Sequence, residues 1–320
     1  MRRFARAGNK VIFVNSISMG LPSMTNKDKV VVVGAGLMGT GIAHAFIASG
    51  HAVTLIDSAA SVLTLAQRQI AKILADGVRL GKTTEADAAA ALARLQCSEL
   101  LSGAPADTRL VIETVTENLA AKQGIVREAE TCFADDTVIA TNTSALSITE
   151  IASAAKTPAR VIGMHFFNPV HKMKLVEIVR GLETSADTVA RARAWAAAIA
   201  KTSIEVNEAP GFTTSRISAL LGHEAMYMLA EGVSSAEDID TAMRLAFNHP
   251  MGPLELGDLT GWDTRLAVLQ YLHQTLGEKF RPCPLIIKLV KAGRHGRKVG
   301  RGVYAYDDQG AKIPNSAIKR

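Results

Sequence analysis

Apolar residues along the chain form two alternating patterns, short uninterrupted runs and longer stretches with helical spacing. Short runs such as the four valines after Lys29 are typical of strands buried on both faces, and they predict strands at 29–33, 52–56, 110–113, 137–140, 160–167, 174–179 and 203–206. The stretches between them predict helices at 40–49, 59–80, 84–95, 118–132, 148–154 and 187–200. Such alternation indicates a doubly wound α/β sheet with helices on both faces.

The pattern changes at Pro210-Gly211. Beyond this pair β-type runs nearly vanish, and apolar residues such as Ile217 and Leu221 recur at helical spacing. A chain of 320 residues also exceeds one typical hydrophobic core. We therefore expect an α/β domain at 28–207 followed by a mainly α-helical domain at 208–320.

A glycine-rich turn follows the first predicted strand. In Gly34-Ala35-Gly36-Leu37-Met38-Gly39 the first glycine makes a tight turn, the second lets the backbone approach a pyrophosphate, and the third lets helix and strand pack closely. The next strand ends before Asp57, whose carboxylate suits the ribose 2′-hydroxyl of NAD and repels the 2′-phosphate of NADP. Together, these features predict a Rossmann-type domain that binds NAD.

Two further β-type runs, 160–167 and 174–179, flank a short loop. If they pair as an antiparallel hairpin centred near His171, residues equidistant from it face each other, as His165 and Glu177 do. Opposed Cβ atoms lie about 4.5–5.5 Å apart, close enough for a carboxylate to orient an imidazole and stabilise its cation. The pair predicts a general base; a partly buried histidine satisfied by a cross-strand acid remains an open alternative.

The pI of 9.3 suggests a nucleic-acid partner until the charges are located. Residues 1–27 hold five Lys/Arg and no acid, and residues 279–320 hold eleven Lys/Arg against two Asp. Because the whole chain carries +6, the body at 28–278 carries −8. The acidic body argues against nucleic-acid binding, and no apolar run approaches the ~18 residues that a membrane-spanning helix needs.

The cysteines and the N-terminus bear on the cellular compartment. Cys97, Cys132 and Cys283 fit neither a disulfide framework nor a zinc site, so we expect no metal and a reducing environment. Residues 1–27 are rich in arginine, which resembles a transit peptide, although a true start at Met19 or Met24 explains them equally well. We favour an incidental extension and a cytoplasmic protein.

An ordered set of motifs carries a family resemblance. It comprises Gly34–Gly39, Glu117-Asn118, Thr141-Asn-Thr-Ser-Ala-Leu-Ser147, His165-Phe-Phe-Asn-Pro169, Lys174-Leu-Val-Glu177, Pro210-Gly-Phe212, Glu237-Asp-Ile-Asp240, Pro250-Met-Gly-Pro253 and Gly296-Arg-Lys-Val-Gly-Arg-Gly302. Over about residues 28–307 the chain resembles the NAD-dependent L-3-hydroxyacyl-CoA dehydrogenases, and among them the short-chain bacterial 3-hydroxybutyryl-CoA dehydrogenases. The resemblance implies an acyl-CoA substrate. The apolar stripes of the second domain are typical of a core, but a small helical domain beside a nucleotide-binding domain often dimerises, so we also expect a homodimer through the C-terminal domain.

The resemblance also implies roles for individual residues. His165 matches the catalytic base, Glu177 its orienting partner, and Ser144 a serine that hydrogen-bonds the substrate oxygen, although helix capping is the alternative for Ser144. The positions that match cofactor contacts are Glu117, Lys122, Ser144, Asn168 and Lys298. For the two lysines a solvated surface charge is the alternative. Lys82 is a weaker candidate for attracting coenzyme A.

One position departs from the family pattern. The family commonly has Asn immediately before the arginine that follows Pro-Gly-Phe, whereas Ser215 precedes Arg216 here. A hydroxyl can still hydrogen-bond the substrate oxygen with a shorter reach, so we interpret Ser215 as a subfamily variant. Two other functions stay open: a related dehydrogenase acting on carnitine or L-gulonate, and a catalytically idle NAD-binding relative.

Overall fold

One eight-stranded sheet organises the first part of the computed structural model, which describes residues 27–318. The strands are β1 (Lys29–Val33), β2 (Ala52–Ile56), β3 (Leu95–Ser98), β4 (Leu110–Glu113), β5 (Val138–Thr141), β6 (Val161–Phe166), β7 (Leu175–Arg180) and β8 (Thr202–Asn207). Their order is β3-β2-β1-β4-β5-β6-β7-β8. Residues 1–26, nearly all of the basic N-terminal extension, lie outside the described range.

Strand direction defines the edge of the sheet that matters for function. Every neighbouring pair in the sheet is parallel except β6 and β7, which form an antiparallel hairpin. The carboxyl ends of the first six strands therefore meet at one edge, where open α/β sheets bind their ligands. The glycine turn, Asp57 and Ser144 follow the ends of β1, β2 and β5 at that edge.

Helices cover both faces of the sheet, as the sequence predicted. They are α1 (Leu37–Ala48), α2 (Ala60–Arg79), α3 (Glu85–Leu92), α4 (Leu119–Cys132), α5 (Ile148–Ala152) and α6 (Ala186–Ala198). Successive residues of a strand point to opposite faces. Val32 accordingly shares one core layer with Phe46 of α1, whereas Val33 shares the other with Val126 of α4.

A helical unit follows the sheet. Its helices are α7 (Thr214–Glu231), α8 (Ala236–Ala246), α9 (Pro253–Thr260), α10 (Trp262–Leu276) and α11 (Pro284–Lys291). They enclose a core that includes Trp262 and Phe280. The buried carboxylate of Asp258 accepts hydrogen bonds from the backbone N–H groups of Val303 and Tyr304, which fastens the C-terminal segment to α9. No helix within residues 27–318 is long and apolar enough to cross a membrane.

Several predicted boundaries differ from the structure, most of them by one or two residues. The helix predicted at 84–95 ends at Leu92, and Leu95–Ser98 instead forms the edge strand β3, which pairs with β2. This strand is only partly buried and includes Gln96, so its sequence lacks the apolar run of the inner strands. Helix α1 begins at Leu37 rather than at residue 40, because the glycine turn leads directly into it, and α5 is shorter than predicted.

Candidate active site

The predicted hairpin places His165 opposite Glu177. The two residues are directly paired in the register of β6 and β7, and the His165 Nδ1 atom lies 2.7 Å from Glu177 Oε2. Both side chains are buried, that of Glu177 completely. Because Glu177 occupies Nδ1, the other ring nitrogen is available for proton transfer. No described residue forms a hydrogen bond with His165 Nε2.

Helix α7 supplies the other partner of Glu177. The backbone N–H of Thr214 donates to Oε1 at 2.9 Å, and the Thr214 hydroxyl donates to Oε2 at 3.1 Å. Burial alone would raise the pKa of Glu177, but the hydrogen bonds from His165 and Thr214 lower it below its ordinary value. The carboxylate is therefore held in its charged form. Sequence reasoning missed Thr214; the hydroxyl residues at the start of the predicted helix were the only signal.

Aromatic rings and the end of β5 surround the imidazole. The ring centroids of Phe167 and Phe212 lie 4.5 and 5.9 Å from that of His165. The Asn142 side chain accepts a hydrogen bond of 2.8 Å from the backbone N–H of Phe166, which ties the loop after β5 to the strand carrying His165. Asn142 lies in one of the family motifs but was not assigned a role from the sequence.

The glycine turn has the geometry of a phosphate cradle. Gly34 adopts a left-handed φ of +96°, and a Cβ at Gly39 would lie 1.8 Å from the Gly34 carbonyl oxygen. A Cβ at Gly36 would meet nothing within 4 Å, so the backbone there faces open space. Helix α1 begins at Leu37, followed by the half-buried Met38, and carries no acid in its first turn, which leaves its positive end free for an anion. These residues fit a dinucleotide pyrophosphate.

Asp57 also contacts the glycine turn. Its Oδ2 atom accepts a hydrogen bond of 2.9 Å from the backbone N–H of Ala35, and its Oδ1 atom accepts one of 3.0 Å from Ala59. The acid at the end of β2 therefore shapes the turn in addition to lying where a ribose hydroxyl is expected.

A buried charge network lies at the ends of β4 and β5. Lys122, 1% exposed, places Nζ 2.9 Å from Glu113 Oε1 and 3.3 Å from Glu117 Oε2. Glu117 in turn accepts hydrogen bonds from the Thr143 hydroxyl at 2.5 Å and from the backbone N–H of Ser144 at 3.1 Å. Lys122 is thus not the solvated surface charge considered from the sequence. The network joins Lys122, Glu117 and Ser144, three of the predicted site residues.

Three other predicted residues make no hydrogen bond with the His165–Glu177 pair within residues 27–318. Lys298 forms an ion pair of 2.7 Å with Asp263 at the start of α10, and no hydrogen bond or ion pair of the described residues links it to the glycine turn. Asn168 is exposed in the loop after β6. Ser215 is half-buried in the first turn of α7 and makes no side-chain hydrogen bond within residues 27–318. The hydroxyl that reaches the His165–Glu177 pair is that of Thr214.

Comparisons with known proteins agree over both parts of the chain. The family models described as 3-hydroxyacyl-CoA dehydrogenase match at residues 29–209 for the NAD binding domain and at 211–306 for the C-terminal domain. A probable 3-hydroxybutyryl-CoA dehydrogenase of Bacillus subtilis is 44% identical over 282 residues, covering 88% of this chain and 98% of the relative. A 3-hydroxybutyryl-CoA dehydrogenase of Bradyrhizobium diazoefficiens is 42% identical and covers 89% and 96%.

A solved structure shares the whole fold. The crystal structure of (S)-3-hydroxybutyryl-CoA dehydrogenase from Ralstonia eutropha superposes with a TM-score of 0.85 at 41% identity, covering 88% of this chain and 100% of that one. Fold, glycine turn and sequence similarity agree, and the chain therefore belongs to the 3-hydroxyacyl-CoA dehydrogenase family as an NAD-dependent oxidoreductase.

Proposed function

We propose that the enzyme interconverts L-3-hydroxybutyryl-CoA and acetoacetyl-CoA, with His165 as its base. The observation that carries this proposal is the buried His165–Glu177 pair, in which Nε2 of the imidazole has no hydrogen-bond partner among residues 27–318. The short-chain substrate is supported by the names of the relatives at 40–44% identity. The alternative is an NAD-dependent dehydrogenase of the same architecture that acts on carnitine or L-gulonate.

His165 moves the proton in this mechanism. NAD held at the glycine turn would accept the hydride that C3 of the substrate releases. The Nε2 atom of His165 removes the proton of the substrate 3-hydroxyl while C3 loses its hydride, and Glu177 stabilises the resulting imidazolium. In the reverse direction the imidazolium returns the proton to the oxygen of the reduced ketone. The buried position of both side chains strengthens the interaction between them.

Ser144 and Ser215 act on the substrate oxygen in the proposed mechanism. A hydroxyl donor aimed at this oxygen stabilises the charge that develops there. Ser144 has the better support, because Glu117 and Thr143 hold its backbone in place at the carboxyl edge of the sheet. Ser215 lies one residue after Thr214, at the start of the helix that contacts Glu177.

The cofactor-binding residues form two groups in this proposal. The glycine turn and Asp57 hold the pyrophosphate and the adenosine ribose. Glu117, Ser144, Asn168 and Lys298 contribute around the nicotinamide half, as the family similarity implies. We place Lys122 behind Glu117, because its ammonium group is enclosed by Glu113 and Glu117.

A basic cleft is the proposed site for the phosphates of coenzyme A. The cleft has a volume of about 830 Å³ and lies between α1, α2, α3 and the loop after β6. Its charged lining comprises Lys72, Arg79, Lys82, Lys172 and Lys174 against Asp76 and Asp87. This excess of positive charge favours a polyanionic ligand, and Lys82 is one of the lining residues.

The helical unit exposes apolar side chains that support a homodimer. Leu245 and Phe247 at the end of α8 are 82% and 68% exposed, and Ile217 on α7 is 55% exposed. Large exposed apolar residues mark interaction surfaces when they cluster. We propose that a second copy covers these exposed side chains, which predicts a particle of twice the 34.0 kDa chain mass by light scattering.

A substrate series tests the proposed reaction. NADH oxidation should give its highest kcat/KM with acetoacetyl-CoA and lower values with longer 3-ketoacyl-CoAs, and NAD should not be reduced with carnitine or L-gulonate. The matched control is His165→Ala, which removes the base and keeps the glycine turn. A higher kcat/KM on a long acyl chain or on carnitine would refute the substrate assignment. NADH binding without turnover of any of these compounds would instead favour the idle relative.

A further inference from the structure

Thr214 connects the helical unit to the catalytic pair. It is the first residue of α7, and both of its donors are used on Glu177: the backbone N–H on Oε1 and the hydroxyl on Oε2. Oε2 is also the oxygen that pairs with His165. We propose that Thr214 is a positioning residue for the reaction, whose hydroxyl acts on His165 by sharing the carboxylate oxygen that the imidazole uses. The proposal rests on the role of His165 as the base.

The geometry fixes the orientation of the carboxylate. One oxygen of Glu177 is held by the helix backbone and the other by a hydroxyl and the imidazole, so rotation of the carboxylate would break hydrogen bonds at both atoms. A fixed carboxylate keeps the proton of the neutral imidazole on Nδ1 and leaves Nε2 as the acceptor. Thr214 therefore contributes to the ring orientation without touching the imidazole.

Because Thr214 and His165 share Oε2 of Glu177, the Thr214 hydroxyl reduces the negative charge that this oxygen presents to the imidazole. A hydroxyl donor on Oε2 withdraws negative charge that otherwise stabilises the imidazolium. When the hydroxyl is removed, the imidazolium gains stability and is formed at a higher pH. In the direction that oxidises the hydroxyacyl substrate, His165 must be neutral, so the acid side of the pH–rate profile should move to higher pH.

Few charged groups compete with this interaction. The elements packed against the pair present the Phe167 and Phe212 rings, Ile204 of β8 opposite Glu177, and the donors of Thr214. Within residues 27–318, no other charged side chain forms a hydrogen bond or ion pair with His165 or Glu177. Arg216, the nearest cation along α7, lies over the Phe280 ring instead. A change at Thr214 should therefore act on the pair alone.

The test uses variants matched in shape. Thr214→Val removes the hydroxyl but keeps the branched side chain and the backbone N–H, whereas Thr214→Ser keeps the hydroxyl. Thr213→Val is the control, because Thr213 is exposed and its side chain makes no capping hydrogen bond. The measurement is kcat/KM for oxidation of L-3-hydroxybutyryl-CoA by NAD, recorded from roughly pH 5 to 9 with the full chain, since this profile reports the ionisation of the free enzyme.

We expect the acid limb of Thr214→Val to move upward by about 0.3–1 pH unit, the shift that one hydrogen bond produces. Thr214→Ser and Thr213→Val should keep the native profile, and the KM for NAD should not change in any of them. A native profile in Thr214→Val, or a shift that Thr214→Ser also shows, would overturn the role of Thr214 and leave the proposed function intact. Near-native turnover in His165→Ala would overturn the proposed base and the inference with it.

Discussion

Two glutamates embedded in strands of the same sheet have opposite electrostatic character. Glu113 ends β4 and is 1% exposed, and Glu177 lies within β7 and is fully buried. Burial raises the pKa of Glu113, and Lys122 offsets only part of that effect. Burial acts on Glu177 in the same direction, but the hydrogen bonds of His165 and Thr214 lower its pKa overall. Desolvation thus outweighs the partners of Glu113, whereas the partners of Glu177 outweigh its desolvation.

The partner decides what each pair can do. Lys122 pairs with Glu113, and Glu113 also accepts a hydrogen bond from the Thr141 hydroxyl, so this cluster holds the ends of β4 and β5 together. In the proposed mechanism the imidazole of His165 takes up and releases a proton during each turnover, with Glu177 as its counter-charge. In our proposal the Lys122 pair therefore supports the site, and the His165 pair performs its chemistry.

Replacing His165 should have the largest effect on activity, because it removes the base of the proposed mechanism. His165→Ala should lower kcat by roughly 10²–10⁴-fold, the usual contribution of a general acid–base group. Glu177 keeps both donors of Thr214, so the fold and NADH binding should survive, as measured by fluorescence titration. Glu177→Gln should also lower kcat, because the imidazolium loses its counter-charge. Turnover close to native in His165→Ala contradicts the assignment.

Removing Lys122 should break the supporting pair and reduce stability. Lys122→Met leaves the buried carboxylate of Glu113 without its cation, and such a change costs about 3–5 kcal/mol of unfolding free energy. Urea denaturation followed by circular dichroism measures the loss. The control is Lys122→Met combined with Glu113→Gln, which removes both buried charges and should recover most of the stability. An unchanged urea midpoint in Lys122→Met would show that this pair contributes nothing to the fold.

Replacing Ser144 or Ser215 should have smaller effects on activity than replacing His165. Ser144 is held by the supporting network, so Ser144→Ala should lower kcat/KM by roughly 5–150-fold, the value of one substrate hydrogen bond. Ser215→Ala should have a smaller effect, and Ser215→Asn should be tolerated because the amide offers an equivalent donor. Steady-state kinetics on acetoacetyl-CoA measures all three variants. A larger loss in Ser215→Ala than in Ser144→Ala would reverse the proposed order.

The site was predictable from the sequence where it depends on local geometry. The pairing of His165 with Glu177 requires only the period of two residues along a strand and a short connecting loop. The glycine turn and Asp57 similarly belong to one strand–helix–strand unit. The alternating pattern was sufficient to predict the doubly wound sheet, because its inner strands are continuous apolar runs.

Contacts between distant segments were not predictable. Thr214 meets Glu177 across 37 positions, and only the packing of α7 against the sheet brings them together. Lys122 was expected at the cofactor or in solvent, since a lone lysine on a polar helix gives no sign of burial; its enclosure follows from Glu113 on another element. The edge strand β3 was missed because it buries too little apolar surface to leave a pattern.

The hydrogen bonds of Asp57 have a consequence for redesign of cofactor preference. Replacing this acid would remove the repulsion of a 2′-phosphate that we expect from its charge, but it also removes the acceptors of the Ala35 and Ala59 N–H groups. A shortened side chain such as serine leaves the turn to find new partners, so tighter binding of NADP would come with a less ordered phosphate cradle. Asn at this position keeps one acceptor oxygen without the charge. A substitution at Asp57 therefore changes ribose recognition and the conformation of the glycine turn together.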